Sequence, residues 1–194
     1  MRSPTIPILL AFVAAGAASA ADAPRTVELP RFTSLKLMGG GEVALRHGST
    51  QRVTVAGRDP SRTVMRVDDR GTLVIRACEG DCRGHSPRIE IVTPAALAAV
   101  AISGGGRITG EGRWPARRSL AVAIEGGGQI DTTALDADDV AAAVSGGGSM
   151  TVSARKSLAA VINGGGRIAY RGDPRTTRVI NGGGAVVALR DQRR

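Results

Sequence analysis

Six runs of three consecutive glycines punctuate the chain, at Gly39-Gly40-Gly41, Gly104-Gly105-Gly106, Gly126-Gly127-Gly128, Gly146-Gly147-Gly148, Gly164-Gly165-Gly166 and Gly182-Gly183-Gly184. In a helix each run would cost roughly 3 kcal/mol relative to alanine, so the segments around them are not helical. Successive runs start 65, 22, 20, 18 and 18 residues apart. A period near 20 marks a repeat in which each unit buries its apolar face only against its neighbours. Glycine reaches positive φ without Cβ strain and lets backbones approach closely, so the triplet reads as a corner stacked upon itself.

Alignment on the triplet brings out columns. Two residues before the first glycine stand Leu37, Ile102, Ile124, Val144, Ile162 and Ile180, all branched aliphatics. Two residues after the last stand Val43, Ile108, Ile130, Met150, Ile168 and Val186, again all apolar. Both columns are expected to point inward. Further back, Ala98, Leu120, Val140, Leu158 and Thr176 lie six before the triplet, and Val100, Val122, Ala142, Ala160 and Arg178 four before it. This alternation of period two predicts strands. Immediately before the glycines, Met38, Ser103, Glu125, Ser145, Asn163 and Asn181 are mostly polar and face outward, with Asn163 and Asn181 placed to stack as a ladder.

The amino terminus carries one early cation, Arg2, then an apolar run over 8–15 and the small-residue triplet Ala18-Ser19-Ala20. That is the pattern of a secretory signal peptide over 1–20, too short for a transmembrane span, with a mature chain beginning near Ala21. Neither Cys78 nor Cys82 is near the junction, so no lipid anchor is expected there. Phe32, Trp114 and Tyr170 are the sole aromatics of the mature chain. Its core must therefore be built from Val, Ile, Leu and Ala, which suits narrow stacked layers. Removal of Arg2 leaves 25 basic against 17 acidic residues, a balance that favours anionic partners, although the arginines are dispersed.

The segments SLAVAIEGGGQID (119–131), AVSGGGSM (143–150), VINGGGRIAYRGDP (161–174) and VINGGGAV (179–186) resemble the auto-transporter adhesin head GIN domain family, whose members usually carry Ser-Gly-Ser-Gly-Asp or a close variant at the triplet. The resemblance spans roughly Arg25 to Leu189. It implies an all-β fold, a right-handed parallel β-helix or solenoid with coils of about 18–22 residues, exported to the envelope and without established enzymatic activity. The organisation expected is one domain over 21–189, with leading and capping strands over 25–97, regular coils over 98–189, and a basic tail over 190–194. No catalytic residue carries over.

Between Gly41 and Gly104 the triplet is missing, although the 65-residue interval between triplet starts would hold about three coils. Alternating runs remain at Val43–Leu45, Val53–Val55, Met65–Val67, Leu73–Ile75 and Ile89–Ile91, separated by turn signals. These strands are expected to pair partly as hairpins and to cap the amino-terminal end. Within this segment Cys78 and Cys82 bracket a short loop. In an exported chain they are expected to form a structural disulfide. Unpaired or intermolecular thiols and a redox or metal role are the alternatives, but C-x3-C is not the zinc spacing and no second pair completes a site.

Known chemistries find little purchase. No Gly-Lys-Ser/Thr follows any triplet, and no Gly-x-Ser-x-Gly elbow occurs. Calcium-binding β-roll repeats need Asp where an apolar residue stands here, and Asp131, Asp136, Asp138 and Asp139 cluster in a single coil. His47 and His85 fall in turns and read as surface residues. The acids are scattered and stacking aromatics nearly absent, which disfavours glycan cleavage and single-stranded nucleic acid binding. The reading is a non-catalytic exported envelope or cell-surface module for adhesion, binding or spacing, in the periplasm or outside the cell, with no cofactor or metal. Its partner is an envelope glycan, an anionic glycolipid or a protein, and the chain is free to oligomerise. A carbohydrate-active β-helix enzyme and a polyanion-binding periplasmic protein are the alternatives.

Overall fold

The computed structural model describes residues 23–80 and 82–189; the predicted signal peptide (1–20) and basic tail (190–194) lie outside the described residues. The described residues are all-β apart from one 3₁₀ turn, Pro60–Arg62. The leading strands are β1 (Arg25–Val27), β2 (Ser34–Met38), β3 (Glu42–His47), β4 (Arg52–Ala56), β5 (Val64–Val67), β6 (Thr72–Arg76) and β7 (Arg88–Thr93). The repeat supplies β8 (Ala99–Gly104), β9 (Arg107–Glu111), β10 (Arg117–Gly126), β11 (Gln129–Asp131), β12 (Ala137–Gly146), β13 (Ser149–Asn163), β14 (Arg167–Arg171), β15 (Arg175–Asn181) and β16 (Ala185–Ala188).

Two ladders organise these strands. In one, β5, β6, β2, β8, β10, β12, the second half of β13 and β15 lie side by side. In the other the order is β1, β4, β7, β3, β9, β11, the first half of β13, β14 and β16. At 15 residues, β13 belongs to both and joins them into one open sheet path. The chain crosses from the first ladder to the second at each glycine triplet. Neighbours throughout the repeat pair in parallel and place like columns together, as in Ile124 opposite Val144 and Ile130 opposite Met150. A strand of the first ladder and the strand of the second that follows it across a triplet form one layer.

The sheet is mixed, not purely parallel: β1–β4, β4–β7 and β5–β6 are antiparallel. The 65-residue gap between the first two triplets also has a specific resolution. β2 and β3 pair directly with β8 and β9, so the first triplet stacks under the second. The intervening residues fold back beneath them, with β6 against β2 and β7 against β3. That yields one parallel layer instead of three, because β4 and β5 turn to pair antiparallel. In this layer the segment from Ala77 to Pro87 stands where the others carry a triplet. It contains the Cys78–Cys82 disulfide, with Cα atoms 5.8 Å apart. The β5–β6 hairpin turn is held by Asp68, whose carboxylate accepts from the Arg70 and Thr72 amides at 3.0 and 2.9 Å. Those amides hold its carboxyl below the usual range.

The core is a file of aliphatics between the ladders. Of the twelve residues in the two inward columns, all but Ile180 are buried. Ile180 is 41% exposed because, among the described residues, no strand pairs with β15 on its far side. Phe32 and Tyr170 are also buried, and Trp114 packs against the core half-buried.

The triplets resolve into three roles. The first glycine has positive φ in every triplet, and from Gly104 onward a Cβ on it would lie 2.5–2.9 Å from the carbonyl oxygen of the glycine one layer below. A Cβ on the third would press on the inward aliphatic of that layer, 2.6 Å from Ile124 in the case of Gly148. At the middle glycine a Cβ would meet nothing within 4 Å. Gly146→Ala should therefore lower stability by about 1–3 kcal/mol, whereas Gly147→Ala should stay within about 1 kcal/mol of the parent. Urea unfolding of the two variants side by side tests this, and equal losses would refute the division of roles.

Candidate functional site

The outward side of the first ladder is where the sequence departs furthest from strand preference. Alanine is depleted in strands, and exposed sheet positions normally carry Thr or charged residues. Here the positions five and three before the triplet are Ala99 and Ala101 on β8, Ala121 and Ala123 on β10, Ala141 and Ala143 on β12, and Ala159 and Val161 on β13. Parallel register sets them in two straight columns, Ala99–Ala121–Ala141–Ala159 and Ala101–Ala123–Ala143–Val161. All eight are exposed or partly exposed. With strands about 4.8 Å apart, the four strands make a smooth apolar floor roughly 15–20 Å long. A shallow depression of about 270 Å³ lies over it.

Polar columns border the floor. On the glycine side Asn181 donates to Asn163 at 2.9 Å, and Glu125 stands 3.9 Å from Lys36, which adjoins Ala101 at the β2 end of the floor. On the other side the Ser157 hydroxyl donates to Asp139 at 2.6 Å. The middle glycines are exposed beside the first border and extend the low surface around the corner. Nothing taller than an alanine or valine rises from the floor, so a flat partner can approach the sheet closely.

Several of the remaining charged groups engage one another. Arg46 bridges Glu111 at 2.7 Å and Glu90 at 3.1 Å on the outward side of the second ladder, and the Glu111 hydrogen bond raises its pKa. These groups are exposed and such pairs contribute little to stability. The acids of the β12 layer are each answered from β13: Asp136 by Ser153 and Arg155, Asp138 by Arg155 and Lys156, Asp139 by Ser157. Asp131 instead closes a turn to Thr133. Among the described residues no group of three His, Cys, Asp or Glu is placed to hold a metal ion. His47 is exposed, its ring 5.6 Å from that of Trp114, and His85 lies 3.4 Å from the Thr63 hydroxyl.

Arg117 escaped sequence reading altogether. It occupies the position that Ala137 and Ala154 fill in the next layers, and is 7% exposed. Its Nη1 donates to the Leu97 carbonyl at 2.7 Å and its guanidinium lies 5.3 Å from the Trp114 ring centre, while Nε and Nη2 are buried without an acceptor among the described residues. Burial lowers its pKa. No spacing marks this residue, since its burial follows from the chain path around Trp114. The alanine columns, by contrast, are legible in the triplet alignment, at the positions five and three before the first glycine.

Two measurements follow. Arg117→Met, which keeps the volume and removes the buried charge, should melt at or above the parent temperature, and Arg117→Ala below it; equal losses for both would mean that the charge itself is stabilising. Hydrogen bonding to Lys156 foremost, then to Arg155, holds the Asp138 carboxyl below its ordinary value of 3.8. Its contribution to stability is thus present above the unfolded value and lost as pH falls through the lower folded one. An NMR titration should place its midpoint below 3.8, and Lys156→Ala should move it upward.

Among solved structures, the chain is similar to a putative adhesin from Bacteroides fragilis at 18% identity, covering 86% of this chain and 96% of that one with a TM-score of 0.58. It also matches a putative adhesin from Parabacteroides distasonis (17% identity, 86% and 96% coverage, TM-score 0.44) and a putative lipid binding protein from the same species (14%, 87% and 96%, 0.41). At these identities the likeness concerns the fold alone, and it rests on the Bacteroides structure. No curated protein sequence matches the chain. The family described as "Putative auto-transporter adhesin, head GIN domain" matches residues 31–119 and 116–174, most of the chain and the strands β2 to β14, and the chain belongs to that family.

Proposed function

We propose that this chain is an exported, non-catalytic binding module whose contact surface is the alanine floor of the first ladder. The observation that carries the reading is the in-register pair of exposed alanine columns across β8, β10, β12 and β13. Exposed strand positions tolerate larger residues, and packing within this chain does not demand small ones there. A partner that lies close to the sheet does. The adhesin description of the family and the name of the Bacteroides structure support a role in contact at the cell envelope. No helix among the described residues is long and apolar enough to cross a membrane. The pattern at the amino terminus supports export, and the inward columns, glycine corners and disulfide serve as scaffold.

The scaffold itself is a right-handed parallel β-solenoid in this reading, closed at its amino-terminal end by the antiparallel strands β1, β4 and β5. Parallel neighbours at intervals of 22, 20, 18 and 18 residues support it. Each return to the same ladder is a crossover between parallel strands, and such crossovers are right-handed in about 98% of cases.

The test is a glycan and lipopolysaccharide array probed with residues 21–194 and with the variant Ala121→Lys/Ala141→Lys. The expected outcome is binding by the parent that falls roughly tenfold in the variant, since charged ammonium groups on an apolar floor hold a flat partner away, while circular dichroism and melting temperature stay unchanged. Equal binding by both would place the contact surface elsewhere. Silence of the parent across the array would overturn the reading for these ligands in favour of a structural spacer.

A further inference from the structure

The two ends of the layer stack are finished differently. At the amino-terminal end the antiparallel strands β1, β4 and β5 lie over the last parallel layer. At the other end, among the described residues, β15 pairs only with β13 and β16 only with β14, so both present unpaired backbone groups. The exposed large hydrophobics among the described residues are Val179, Ile180 and Leu189, all at this end. Open strand edges with apolar neighbours are sites where another strand can add.

The columns show that the end is half closed. Where lower layers have Leu158 and Ala160 pointing inward, β15 has Thr176 and Arg178. Arg178 turns back over Tyr170, donating to its hydroxyl at 3.1 Å with the guanidinium 6.0 Å from the ring centre, and shields that half of the core. The half next to the glycine corner keeps its inward aliphatic, Ile180, which stands open, while Val179 faces outward in register with Val161. Charge distinguishes the possible occupants. One layer below, Arg155 and Lys156 are answered by carboxylates of the neighbouring strand, Asp136 and Asp138. Arg175 and Arg178 are paired with no carboxylate among the described residues, and from 167 to 189 four arginines face the single acid Asp173. A second copy docked end to end would set these cations against each other.

We propose that the β15 edge is a strand-docking site for an extended acidic segment of another protein, with carboxylates in register with Arg175 and Arg178 and a branched aliphatic in register with Ile180. The edge adjoins the alanine floor, whose columns run on from Ala159 and Val161 to Thr177 and Val179, but it is recognised through its backbone and its arginines rather than through the alanines.

The test uses fluorescein-labelled peptides with residues 21–194. The acidic peptide Glu-Val-Thr-Glu-Val-Ile-Asn is matched position by position to 175–181, and its control carries Arg in place of both Glu residues. Fluorescence anisotropy should show saturable binding of the acidic peptide, roughly tenfold weaker binding of the control, and weakening of the former with salt. Arg175→Glu/Arg178→Glu should invert the preference, a gain for the basic peptide that misfolding would not produce. Ile180→Asp should weaken the acidic peptide, and Ala121→Lys should leave it unchanged. Equal binding of both peptides, saturable binding of neither, or a preference that Arg175→Glu/Arg178→Glu leaves uninverted would overturn the proposal. So would a dimer in analytical ultracentrifugation that Ile180→Asp dissociates, which would assign the edge to a second copy.

Discussion

Everything in this structure depends on how closely one backbone turn can sit upon the next at the glycine corner. The carbonyl of the first glycine in a triplet accepts from the middle glycine of the layer above, as in Gly127 to Gly104 at 3.1 Å. The carbonyl of the third accepts from the residue that follows the next triplet, as in Gln129 to Gly106 at 2.9 Å. The ladder of backbone bonds therefore runs around the corner without a gap, which spares these polar groups the cost of burial without partners. A Cβ at the first or third position would occupy the space those bonds need. Once the corner closes at strand spacing, the two ladders are held at a separation that aliphatic side chains fill, and the inward columns face each other layer after layer.

That constraint also explains the aromatic poverty of the chain. A core only two side chains thick has room for Ile, Val, Leu and Met in repeated positions, and large rings fit only where the repeat is interrupted. Phe32 lies just before β2, Tyr170 is buried under the last layer, and Trp114 fills the loop between β9 and β10 beside Arg117. Arg117 illustrates how the same interruption admits a charge. The chain path there leaves a space larger than the alanines above it require, and a long side chain reaches through it to a carbonyl 20 residues earlier.

With its interior so regular, the molecule's individuality lies outside, in the alanine floor, the ion pairs of the β12 and β13 layers, the disulfide loop and the open carboxy-terminal edge. The floor and the edge adjoin at β15 but differ in character. One is flat and uncharged and favours close approach, whereas the other offers backbone hydrogen bonds flanked by cations. A single repeat can carry both because outward positions are free of the constraint that governs inward ones.

From the sequence alone, the strand class, the inward columns and the corners were legible, because glycine spacing and two-residue alternation are local consequences of backbone geometry. The stacking of Asn181 on Asn163 was legible for the same reason. The layer order was not. Nothing in residues 42–103 says that β6 and β7 fold beneath β2 and β3, or that the Cys78–Cys82 loop takes the place of a corner, since strand pairing across tens of residues is chosen by competition among similar aliphatic runs. The burial of Arg117, the exposure of Ile180 and the half-closed end were likewise decided only by the tertiary structure. Each depends on which strand has a neighbour and which does not, and a repeat reads the same in its middle layers as in its last.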